Sequence, residues 1–147
     1  MLRRTLRLLA AYYGLWQLIH LGLSFLHVFG DQKTSPIVAL IAGNMNSEQI
    51  RILEASGYID VLFAAPVGII FSLAYLLRKR WSIPLGLLSL SVAMYSAYFA
   101  AYLHVIFGTF VFQPISFLVG FLSFMPHPIL LVLLVYIVMK KEKKDWI

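Results

Sequence analysis

The chain has 147 residues, of which 61% are hydrophobic and 12% charged, and its formal net charge is +6. Soluble domains average about 45 to 50% apolar and about 25% charged residues, so this composition indicates one integral membrane domain. The lack of cysteine excludes disulfides, thiolate catalysis and Cys-ligated metals, and the basic excess does not indicate nucleic acid, because it gathers at the ends of apolar stretches.

Arg3, Arg4 and Arg7 mark the start of a first span predicted over residues 5–29, which stops at Gly30-Asp31. It is too long for a signal peptide and lacks a small-residue cleavage end, so it reads as a retained span. His20, Ser24 and His27 are spaced four and three apart and share one helix face, which is expected to look inward. Residues 31–57 then fall on the non-cytoplasmic side. Ser35-Pro36 looks like a cap with proline at the first helical position, Gly43 closes a short apolar turn, and Asn46 with Gln49 resembles a capping box. These features predict two short interfacial helices lying over the bundle mouth as a lid; a solvated connecting loop is the alternative.

The second span, residues 58–77, carries Asp60 near its start and Pro66 beside Ala64, Ala65 and Gly68, a pattern expected to bend the helix and admit a close neighbour. It ends at Arg78-Lys79-Arg80. A tight turn leads into the third span, residues 83–107, which is rich in small and hydroxyl-bearing residues and places His104 near its outer end. The fourth, residues 114–139, holds Pro126-His127-Pro128 and is stopped by Lys140, Lys141, Lys143 and Lys144. Two prolines there remove two backbone donors, so a kink is expected, with its carbonyls facing protein or a wet cavity. Lys and Arg collect on the cytoplasmic side of membranes. The predicted fold is therefore an all-α, four-helix membrane bundle with both termini cytoplasmic.

An acid inside a span is a candidate functional group, because insertion of Asp at a helix centre costs about 2.5 to 3.5 kcal/mol. Counting from the basic ends places His27, Asp60 and His104 in the outer third and His20 and His127 near the midplane. Three readings follow. In the first, the groups converge on a cavity for a lipophilic ligand, with Asp60 as charge partner or proton-transfer group, His27 and His104 beside it, and Phe63, Trp16, Tyr95, Tyr98 and Tyr102 as walls. In the second, histidines on different helices hold haem b or a metal, through His20 with His127 or His27 with His104. In the third, the chain is an assembly subunit of a membrane complex with no chemistry of its own. The plain structural alternative is that each histidine hydrogen-bonds a neighbouring helix.

The stretch Asp60-Val61-Leu62-Phe63-Ala64-Ala65-Pro66, followed by a basic-Trp turn, resembles the second span of the EXPERA family of sigma-2 receptor and emopamil-binding-protein-like membrane proteins, in particular its sigma-2 receptor branch. Ser91-Val92 with Tyr95 resembles the family's third span. Phe124-Met125-Pro126 with its Ile-Leu-Leu run and lysine tail resembles the fourth, and His20 with His27 resembles the first. The resemblance implies a bundle of membrane helices around a sterol-sized cavity, sterol isomerase or sterol-binding activity, and often the endoplasmic reticulum. Asp60 would contact a ligand cation or developing carbocation, and His27 would stand for the first-span acid. The chain departs from the family in having Asp where Glu is usual, in lacking a second intramembrane acid and in shortening the loop before span 4. An isomerase needs one group to donate and another to remove a proton, and Asp60 with His104 are the candidates. Binding of a sterol-like or cationic amphiphilic molecule without a resident cofactor is the favoured expectation. A homodimer or a membrane-complex partner is compatible with it. The expected location is the endoplasmic reticulum in a eukaryote and the cytoplasmic membrane in a prokaryote.

Overall fold

The computed structural model describes residues 2–29, 47–106 and 122–141. Their elements are, in order, α1 (Leu2–Phe29), α2 (Ser47–Ile59), a π-helical segment (Asp60–Ala64), α3 (Ala65–Leu76), α4 (Ser82–Ile106) and α5 (Pro126–Lys141), with no strand among the described residues. Four stretches are long and apolar enough to cross a membrane: Leu2–Leu26, Gly57–Leu76, Ser82–Phe99 and Leu122–Lys140. At the described ends they agree with the four expected spans to within three residues, except that the third ends at Phe99 where residue 107 was expected, although its helix continues to Ile106. The start of span 4 near residue 114 and the first of the two expected lid helices lie outside the described residues.

The second lid helix takes a different form. It begins at Ser47 and passes through Gly57 and Tyr58 into span 2 without a break, so it extends that span instead of lying apart from it. Gly57 alone is too weak a breaker to stop a helix whose next turn is apolar; one glycine costs only about 1 kcal/mol relative to alanine. Pro66 acts where expected, by a subtler route. It has no N–H, and its ring would press on the carbonyl four residues back. The helix widens ahead of it, and the Ala65 N–H reaches back five residues to the Asp60 carbonyl.

Spans 1 and 2 meet closely through reciprocal small residues. A Cβ added at Gly14 would come within 2.7 Å of the Ser72 Cβ, and one at Gly68 within 2.7 Å of the Gln17 Cγ. Each glycine therefore receives the other helix's side chain, the close backbone approach that holds helices together where lipid removes the hydrophobic drive. Below this contact, Leu6, Ala10 and Tyr13 of α1 pack with Phe71, Leu90, Leu130, Leu134 and Ile137 in a dry core drawn from all four spans.

The basic clusters share one end of the bundle. The Arg7 guanidinium donates to the Leu76 carbonyl at 3.2 Å, which ties the start of span 1 to the finish of span 2. Ile137 packs in the same core as Leu6, so the lysine-bearing end of α5 lies there too. Span 2 closes with the Lys79 N–H on the Ala74 carbonyl and the Arg78 N–H on the Tyr75 carbonyl, and Arg78 adopts φ of 58°. This is the paired-bond helix stop that glycine normally fills. At the first residue of α4, the Ser82 hydroxyl and N–H both donate to the Lys79 carbonyl, at 2.7 and 3.1 Å, which fixes the turn between spans 2 and 3.

Candidate functional site

The π segment turns Asp60 towards span 1, where its Oδ2 lies 3.1 Å from His20 Nε2. The Asp60 side chain is 16% exposed and that of His20 41%, so the pair sits on the flank of the bundle with its imidazole partly open. His20 lies eighteen positions from Leu2 and Asp60 sixteen from Leu76, the basic ends of their helices, which places the pair about 24 to 27 Å from that end at 1.5 Å per residue. The expectation that His20 lies at the midplane and Asp60 in the outer third is corrected: they share one level. The described histidine that meets the acid is His20. The side chains of His27 and His104, expected beside Asp60, lie outside the described residues.

His127 has a different and largely enclosed setting. The chain is helical over 122–124, turns at Met125 and resumes at Pro126, as two prolines in three residues predict. Pro128 cannot donate to the Phe124 carbonyl, and the His127 ring takes that place, with Nδ1 2.8 Å from the Phe124 oxygen. The Tyr12 hydroxyl, reaching across from α1, donates to the Ser123 carbonyl at 2.7 Å. The interrupted carbonyls thus face protein. The His127 ring stacks on Phe124 at 4.6 Å and meets Tyr12, Tyr13 and Trp16 edge-on at 6.2, 5.0 and 5.5 Å. Trp16, expected as a wall of the ligand chamber, belongs to this cage.

His20 and His127 are therefore not matched in depth, since the α1 neighbours of His127 lie about one to two turns below His20. His127 Nε2 is buried within protein, and His20 Nε2 is turned to Asp60. Among the described residues no three of His, Asp and Glu gather as a metal site.

The polar stripe on α1 extends beyond the residues singled out from sequence. Tyr13, Gln17 and Ser24 are buried, the Tyr13 hydroxyl lies 2.8 Å from Ser89 Oγ, and the Ser72 hydroxyl donates to the Gly68 carbonyl. Tyr13 was missed because tyrosine is so often a packing residue. Its signal is the spacing to Gln17 and His20, four and seven residues on, which continues the face that His20 and Ser24 announce.

The expected aromatic walls lie elsewhere. Phe63, Tyr95, Tyr98 and Tyr102 are 49 to 71% exposed, on the outer surface of the bundle and not around Asp60. Tyr98 lines a half-open apolar groove of about 590 Å³ between α4 and α5, together with Met94, Ala97, Phe124, Pro128 and Val132. Neither Asp60 nor His20 reaches that groove. Comparison with family models, curated proteins and solved structures finds no match.

Proposed function

We propose that this chain is a small multi-pass membrane protein that binds a lipophilic molecule with one polar or cationic group, sterol-like or a cationic amphiphile, at the Asp60–His20 pair. The observation that carries the reading is the 3.1 Å contact between an acid and an imidazole on neighbouring spans, with the imidazole partly exposed. A carboxylate in a membrane helix is retained against a cost of a few kcal/mol, and a purely structural pair would be expected to close over itself. Here the acid is held by the π turn and remains approachable from the side. A ligand ammonium would pair with the carboxylate, and a ligand hydroxyl would donate to it, while the exposed apolar side chains of Ile59 and Leu62 on the same turn offer surface to its lipophilic body.

With the basic end on the cytoplasmic side, the pair lies in the outer leaflet, and both termini are cytoplasmic. The resemblance to the EXPERA family supports the same assignment of Asp60 as the ligand-contacting acid. Proton transfer between ligand and the Asp60–His20 pair is the chemistry the arrangement could add, since one member can donate while the other accepts. The test is equilibrium binding of a radiolabelled lipophilic amine and of a radiolabelled sterol to purified protein. Asp60→Asn should weaken at least one of them about tenfold or more while the protein stays folded. Equal binding of both probes by wild type and Asp60→Asn, or saturable binding of neither, rejects the reading.

A further inference from the structure

Arg51 apart, the described lysines and arginines gather at one end of the bundle. Arg3, Arg4 and Arg7 on α1, Arg78, Lys79 and Arg80 in the turn after α3, and Lys140 on α5 are all exposed. The acids among the described residues are Glu48, Glu54 and Asp60, on α2 and the π segment, so none stands among these cations. Orientation in a membrane asks only that basic residues lie in a short loop. Here the turn that carries three of them is fixed. The Arg78 N–H donates to the Tyr75 carbonyl, the Lys79 N–H to the Ala74 carbonyl, and the Ser82 N–H closes back on the Lys79 carbonyl. The Arg7 guanidinium, a fork of five N–H donors, is drawn beside the turn by its bond to the Leu76 carbonyl, and Arg3 and Arg7 both act electrostatically on Tyr75. Cations on an ordered backbone lose less entropy when they take up an anion.

The depth of this turn can be read from its neighbours. Leu77 and Trp81 bracket the three cations and are 68% and 53% exposed. Tryptophan gathers at the membrane–water boundary, so the turn stands at the level of lipid headgroups.

We propose that the 78–80 turn, with Arg7 beside it, is a binding site for the phosphate of an anionic phospholipid in the adjoining leaflet. The surface is positive throughout, guanidinium matches phosphate through paired N–H donors, and Leu77 and Trp81 offer apolar contact to the lipid below its headgroup. The site lies at the opposite end of span 2 from Asp60 and does not depend on that residue's role.

Native mass spectrometry of the full chain in neutral detergent tests the site, with phosphatidylglycerol and phosphatidylcholine as probes. Wild type should retain phosphatidylglycerol about tenfold or more tightly than phosphatidylcholine. A cation near a surface contributes about fivefold to the hold on an anionic lipid, so Arg78→Gln with Lys79→Gln and Arg80→Gln should weaken phosphatidylglycerol binding about tenfold or more. Lys141→Gln with Lys143→Gln and Lys144→Gln removes the same charge from the tail and should cost less than about threefold. Equal losses in the two triple variants reduce the effect to diffuse attraction and overturn the proposal, as does a wild type that does not distinguish the two lipids. Glycerol phosphate is the control for the free anion: displacement of the lipid at equal concentration also overturns the proposal, because the phosphate alone then accounts for binding. If the turn variant loses its helical circular dichroism, Lys79→Gln alone carries the test, with a loss of about fivefold expected and unchanged binding rejecting the site.

Discussion

Spans 2 and 4 both carry proline within an apolar helix, and they accommodate it in opposite ways. Ahead of Pro66 the helix widens to five-residue hydrogen bonding without a break, and the widened turn presents Asp60 to a partly open histidine. At Pro126 and Pro128 the helix is interrupted at Met125, and carbonyls beside the break are taken by Tyr12 and His127 inside an aromatic cage. The same backbone defect exposes a polar group in one span and seals it in the other. A buried, boxed imidazole should matter most for stability, and a flank-exposed acid–imidazole pair most for recognition.

Substitutions can break this contrast. His127→Ala should have the largest effect, a loss of about 3 to 5 kcal/mol in detergent unfolding, because it empties a cage of four rings and strands the Phe124 carbonyl. A loss below about 1 kcal/mol would remove the structural role of span 4's histidine. Gly68→Leu comes next, at about 1 to 3 kcal/mol, since its side chain must displace Gln17 at a close approach of spans 1 and 2. Unfolding curves that superimpose on wild type would deny that approach. Asp60→Asn and Pro66→Ala should stay within about 1 kcal/mol of wild type, as expected for a partly exposed pair and for a proline at the start of a helical segment. Pro66→Ala nevertheless removes the reason for the π turn and should weaken ligand binding by turning Asp60 off His20; binding equal to wild type would separate the turn from the site. The smallest effect is expected at Arg78→Gly, a gain of up to about 1 kcal/mol from relieving a left-handed backbone at a helix stop.

Much of the architecture was legible because bilayer thickness converts directly into apolar run length, and because arginine and lysine mark the ends of runs. The break at Pro126-His127-Pro128 and the close neighbour at Gly68 could be read in the same way, from a missing donor and a missing side chain. Rotation could not. Asp60 points at His20 because the π turn ahead of Pro66 inserts one residue into the winding, and no periodicity in an almost uniformly apolar helix reports that insertion. The same blindness misplaced Tyr95, Tyr98 and Tyr102, whose hydroxyls suggest an interior but which face outwards. In a membrane, amphipathic side chains are tolerated at the surface, so polarity alone is a weak guide to facing.

The pairing of Asp60 with His20 as a ligand anchor is tested most directly by photolabelling with a sterol diazirine and mapping the attachment sites. The account predicts saturable labelling on segments 16–24 and 58–66, lost in Asp60→Asn but retained in Gly68→Ala as a control for packing changes. Labelling confined to the α4–α5 groove, or labelling around His20 that Asp60→Asn leaves unchanged, would contradict it.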